Sequence, residues 1–190
     1  MKHDAINLVT IALRKRLDAA LLANDIPGNV FVGPVTDPNS SSAPLTLFLY
    51  RLAPNASLRN SERRVPSDTP TRVDVFRTSL SLDLYYMITA GSATSSTPLT
   101  SLGIVIQALQ ADPELKGEAV NHELVRTTLD PLSTEEISRL WALFPNVDYR
   151  TTIAYLASPV WIDPAQPETN GTPVIDGEFR SGTKVTEVLR

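Results

Sequence analysis

The sequence predicts an α+β domain in which about three helices pack on a mixed, partly antiparallel sheet. Two observations carry this. Apolar residues recur at helical spacing in separate stretches, and one stretch between them alternates strictly with period two. The order helix, strands, helix, strand, helix, strand then places helices against one sheet rather than in a bundle.

Over residues 4–23, Ile6, Val9, Leu13, Leu17 and Ala20 step by three and four while Asn7, Thr10, Arg14 and Asp18 keep the same rhythm opposite, which predicts an amphipathic helix. Pro27 and Gly28 stop it, and 30–32 reads as a short strand. After a polar loop over 33–44, "LTLFLYRL" (45–52) is apolar throughout, as expected of a central strand covered on both faces, with Pro54 ending it. Residues 59–72, "RNSERRVPSDTPTR", are polar and broken by Pro66 and Pro70, which predicts a long loop or extended arm.

Strict alternation predicts a strand over 78–89, with Leu80, Leu82, Leu84, Tyr86 and Ile88 on one face and Ser79, Ser81 and Asp83 on the other. A second helix starts at Pro98 and carries Leu99, Leu102, Val105, Ile106 and Leu109 to a stop near Pro113. Residues 123–129 read as a strand. Ser133 and Glu136 then stand at capping-box spacing before a third helix with Ile137, Leu140, Trp141 and Phe144 as its stripe. A last strand spans 149–162 with a kink at Pro159. This divides the chain into a domain over 1–163 and an extended C-terminal arm over 164–190, rich in Pro, Gly and Thr, with short strands around Val174 and Val185.

The 190 residues are 42% hydrophobic, enough for one core, and the net charge of -4 denies the chain a global basic field for nucleic acid or anionic lipid. The N-terminal apolar stretch is interrupted by Arg14, Lys15, Arg16 and Asp18, so neither a signal-peptide core nor a span of ~20 apolar residues is expected there; synthesis in the cytoplasm is the expectation. The Asn-x-Ser/Thr matches at Asn39, Asn55 and Asn170 are read as chance.

A search for chemistry returns little. The chain has no cysteine for a thiolate, disulfide or sulfur metal site, and its two histidines, His3 and His122, stand apart in solvated settings. Glu135 and Glu136 are explained by capping and the helix dipole. The glycines of "GEFRSGTK" (177–184) have phosphate-loop spacing, but Thr183 stands where that motif needs lysine. No catalytic residue, cofactor or metal is therefore expected. What remains is local charge: Arg51, Arg59, Arg63, Arg64, Arg72 and Arg77 outnumber Glu62, Asp68 and Asp74 over 51–77 of an acidic chain. A solvated loop explains this; so does a basic surface docking on an acidic protein.

Four segments, "LFLYRLAPNASLRN" (47–60), "LSLDLYYMITA" (80–90), "IQALQADPEL" (106–115) and "LDPLSTEEISRLWALFPNVDYRTTIAYLASPVWID" (129–163), together resemble the cap, or tail-terminator, proteins of phage-tail-like contractile injection systems of the antifeeding prophage and virulence cassette type. The resemblance runs from the first helix to Asp163. It implies a structural, non-enzymatic protein that forms a homohexameric ring on the end of the inner tube, meets the last ring of sheath protein, and stops both from growing. The particle that carries it is released or anchored. Within this expectation Asn55 and Asn60 hold the turn after 45–52, Arg51 braces it, and Arg59, Arg63 and Arg64 face a neighbouring subunit. Arg72 belongs to the same basic surface, and Trp161, at a strand end, is a candidate interface anchor. Rival readings are a terminator or neck-adaptor of a contractile phage, and an enzyme built on carboxylates and arginine, for which Asp83 is the residue to test.

Overall fold

The main sheet is six-stranded, in the order β1-β2-β5-β8-β7-β6, and every neighbouring pair is antiparallel except β1 with β2. The computed structural model describes residues 3–59, 61–66, 73–91, 97–167 and 169–171. Its elements are α1 (Ala5–Leu22), β1 (Phe31–Val32), β2 (Leu45–Pro54), β3 (Arg63–Pro66), β4 (Val73–Phe76), β5 (Leu80–Ala90), α2 (Thr97–Ala111), β6 (Glu114–Leu115), β7 (Val125–Asp130), α3 (Thr134–Trp141), β8 (Thr152–Ile162) and β9 (Thr169–Gly171). The strands β3, β4 and β9 form a second, three-stranded antiparallel sheet.

Parity along β5 decides which helix lies on which face. Leu82, Leu84, Tyr86 and Ile88 join Val9, Leu13, Leu17, Leu102, Val105 and Leu109 in the larger core, so α1 and α2 cover that side. Met87 points the other way and meets Leu140, Trp141 and Phe144, with Phe48 and Tyr50 packed against them, so α3 covers the opposite side. Both faces of the C-terminal half of β5 are thus buried. The capping box forms as read: the Ser133 hydroxyl accepts from the Glu136 N–H, and the Glu136 carboxylate accepts from the Ser133 N–H at 2.8 Å. These bonds from Ser133 hold the Glu136 carboxyl below its ordinary range.

Three expectations need correction, and one element is unforeseen. Residues 63–66 are a strand, not loop, because their side chains alternate between an anchored Arg63 and an exposed Arg64. Only the first half of β2 is covered on both faces; beyond Leu47 the short β1 ends and the strand emerges into solvent. Leu99 is exposed, and the buried stripe of α2 runs instead through Pro98, Ser101, Leu102, Val105 and Leu109. The two-residue β6 lacked any periodic signal and was not expected. The kink at Pro159 is a bulge: Leu82 pairs with Val160 but Leu84 with Ala157, an extra residue on β8 where a proline without an N–H is tolerated. At the other end of β5, Gly91 passes so close to the preceding loop that a Cβ would fall 2.6 Å from the Ala43 carbonyl oxygen.

Tyr86 spans the larger core to reach α1, where its hydroxyl and that of Thr10 lie 2.7 Å apart. Burial pushes its pKa up from 10.0 to about 12. The unfolded chain therefore sheds this proton first, and stability is complete below pH 10 and falls as pH rises toward 12. The loss should be on the order of 2 kcal/mol. Urea titrations across that range check this: Tyr86→Phe should reduce the alkaline slope, to which Tyr50 and Tyr155 also contribute, and an unchanged slope would refute the assignment.

Candidate interface at the arginine-rich end

The turn after β2 is built by Asn55. Its Oδ1 accepts from the N–H groups of Ser57 and Leu58 at 3.0 and 3.1 Å, capping the short 3-10 turn Ala56–Leu58. Its Nδ2 donates to Asp83 Oδ1 at 2.9 Å and to Ser158 Oγ at 3.2 Å. Ser158 Oγ in turn donates to the same Asp83 oxygen at 2.6 Å. Side chains from β2, β5 and β8 are so pinned at one end of the sheet. Asp83 is the centre of this brace, and its Oδ1 is already occupied by two donors.

Arg51 is exposed on the α3 side and lies over the Tyr85 ring, 4.8 Å from its centroid. Tyr50, its neighbour, donates to Asp130 at 3.4 Å, and burial, followed by the Asp130 charge, pushes its pKa up to about 12. Arg59 is exposed. Arg64 is exposed and bonded to Glu62 at 2.8 Å, with Arg77 on the other carboxylate oxygen at 3.9 Å. Asn60 and Arg72 lie outside the described residues.

Arg63 behaves differently from the other arginines. Its side chain is 7% exposed, and its guanidinium is ion-paired with Glu123 and with Asp163 at 3.4 Å. It also sits over Trp161, 5.3 Å from the ring centroid. Ser79 donates to Asp163 at 2.7 Å. Arg63 therefore ties the second sheet to the end of β8 and to the segment entering β7, and Trp161 is half-buried beneath it. Glu123, Asp163, Ser79 and Ser158 were not singled out from sequence. They stand far from Arg63 and Asn55 along the chain, and no local spacing announces such pairs.

An open cleft of about 670 Å³ lies at the other end of β5, lined in part by Asp37, Asp148, Tyr149 and Arg150. Asp37 is a turn cap, accepting from the N–H and Nδ2 of Asn39 at 2.9 Å. Arg150 donates to the Val35 carbonyl at 3.2 Å, and burial pushes its pKa down. The cleft assembles no nucleophile–base pair among these groups. Among the described residues no helix is long and apolar enough to cross a membrane.

A curled sheet with two helices on one face, one on the other, and a braced, arginine-rich end defines an α+β module. The Pvc16 N-terminal domain model matches residues 8–176, and the chain belongs to that family. Its fold is similar to the sheath/tube terminator of an extracellular contractile injection system, PVC, in the extended state (TM-score 0.57, 18% identity, 95% of this chain and 65% of that one). It is likewise similar to the tube-terminating cap of the anti-feeding prophage (TM-score 0.56, 19% identity, 90% of this chain and 60% of that one). The chain thus spans 65% and 60% of the length of these two relatives. No curated protein matches it.

Proposed function

We propose that this protein is a structural cap of a contractile injection system, closing the end of the inner tube and anchoring the last ring of sheath. The observation that carries this reading is the family match over 8–176, joined to a fold shared with two terminators of such systems. The role needs no catalysis. It needs a surface that matches the last tube ring on one side and offers nothing equivalent on the other. In this reading the working unit is a homohexameric ring, its partners are inner tube and sheath protein, and it resides in the assembled particle.

Arg51, Arg59 and Arg64, exposed at one end of the sheet, supply the charged contact surface, with Asn60 and Arg72 assigned to the same surface from sequence. Asn55 holds the turn that presents it; Arg63 and Trp161 hold the second sheet beside it. Residues 1–163 form the terminator domain and 164–190 an arm, whose segment Thr169–Gly171 pairs with β4. Arms of this kind join neighbouring proteins by strand addition.

Light scattering of the purified protein, alone and with the inner tube protein of its system, tests the reading, together with electron microscopy of the mixture. The expected result is a six-subunit ring, or tubes that stop lengthening when the protein is added. A monomer that leaves tube growth unchanged would overturn it.

A further inference from the structure

We infer that copies of this chain join head to tail through the open edges of the main sheet, the distal half of β2 in one copy pairing with the distal half of β7 in the next. This rests on the ring assembly proposed above and names the contact that would build it. Each edge of the sheet carries a cap of two residues, and the caps cover opposite halves. β1 pairs only with Thr46 and Leu47, leaving β2 from Leu49 to Pro54 without a strand beside it among the described residues. β6 pairs only with Val125 and Arg126, leaving β7 from Thr128 to Asp130 likewise without a strand on that side among the described residues. An unpaired edge is a template for another strand.

The register follows from the backbone. The Gly33 N–H donates to the Leu47 carbonyl, so Leu47 faces outward, and the Asn55 N–H donates to Ser81, so Asn55 faces inward. Alternation between them, with the bulge at Tyr50 adding one residue, turns the N–H and C=O of Leu52 outward. On the other edge the Thr127 N–H donates to Pro113, so Leu129, two residues on, also faces outward. Leu52 and Leu129 can therefore exchange both backbone hydrogen bonds. Successive antiparallel pairing through β2, β5, β8 and β7 makes β2 and β7 run oppositely, as this contact requires.

The side chains fit the same register. Leu52 pairs with Leu84 and Leu129 with Tyr155, both in the α1/α2 core, so the two leucines, 49% and 44% exposed, lie on one face and meet across the junction. The next pair sets Arg51 opposite Asp130 on the α3 face, opposite charges across a ladder once each side chain turns from its partner in its own chain, Tyr85 for Arg51 and Tyr50 for Asp130. Pro54, with no N–H to give, falls opposite Thr127, where β6 begins to cover the edge. The two surfaces differ, so the contact is heterologous: repeated from copy to copy it builds a ring where the rotation closes and an open filament where it does not, never a closed pair.

Because the chain has no cysteine, the pairing can be read by cross-linking. In this register Ala53 and Thr128 form a pair whose own hydrogen bonds point back into their sheets, the close-spaced kind that a disulfide can bridge. The full chain carrying Ala53→Cys and Thr128→Cys is oxidised alone and with the inner tube protein, then run on a non-reducing gel beside light scattering. A ladder of multimers beyond the dimer is expected, absent from either single variant. As a second variant set, Arg51→Asp or Asp130→Arg should each abolish the multimer and the combination restore it. Multimers by scattering with no ladder, or with dimers alone, would overturn the edge pairing and leave the ring reading standing. No multimer alone or on tubes would overturn both.

Discussion

Replacing Arg63 with methionine is expected to destabilise the fold by about 3–5 kcal/mol, the cost of leaving buried charges without their partner. The magnitude follows from where the residue sits. Arg63 and Asp163 have side chains only 7% and 8% exposed, so neither carboxylate of the group, Asp163 or Glu123, recovers full hydration when the guanidinium is removed. The same substitution also takes the cation off Trp161. Chemical denaturation of Arg63→Met measures the loss. A companion carrying Arg63→Met with Glu123→Gln and Asp163→Asn separates charge from packing: removing all three charges should return most of the stability, since such groups stabilise little over neutral isosteres. A single variant within 1 kcal/mol of the parent would show the cluster to be hydrated, and the second sheet to be held by its ladder alone.

That cluster shows where sequence reading reaches its limit. α1, the core face of β5 from Leu82 to Ile88 and the Ser133 capping box are local patterns and formed where spacing placed them, whereas Leu80, read into the same face, is exposed and Ser79 and Ser81 opposite it are buried. Arg63 is surrounded in sequence by other arginines, prolines and polar residues, so composition leaves only a long loop or extended arm whose arginines are solvated or dock on a partner. What separates it from Arg64 is an encounter with Glu123 and Asp163, which only the tertiary fold supplies. Asn55 was legible in part: its turn chemistry could be read locally, but not its second use, bridging Asp83 and Ser158. The open edges escaped for a related reason. "LTLFLYRL" reads as uniformly buried, and only the topology reveals that its neighbour stops after two residues.

The edges and the brace also divide labour. Asn55, Asp83 and Ser158 pin β2 to β5 and β8 just beyond the open stretch, so a strand docking on Leu52 meets a backbone already held in extended form. Ordering that backbone costs nothing further at the moment of association, which favours a weak edge contact repeated around a ring. On the β7 side the support is thinner, because Asp130 leads through Pro131 directly into α3.

Trp141→Ala is expected to release α3 while the rest of the domain stays folded. A buried tryptophan truncated to alanine costs about 3–5 kcal/mol where the structure cannot collapse around it. Here the surroundings are small: Val35, Met87, Leu140, Trp141 and Phe144 form a cluster separate from the α1/α2 core, with Tyr149 packed on Trp141 at 5.2 Å and Phe144 at 6.1 Å. α3 is eight residues long, too short to persist once unpacked, even with its capping box. The cheaper response is therefore local opening rather than global unfolding. Native-state hydrogen exchange should show protection lost at Ile137–Ala142 but retained along α1, and a uniform loss throughout would refute the separation of the two clusters. Because Asp130 and Leu132 connect β7 to α3, and Leu132 packs on the cluster, the opening also frees the end of β7. The same variant should then weaken association between copies more than its loss of global stability accounts for, whereas Leu17→Ala, in the other core, should lower stability without that excess.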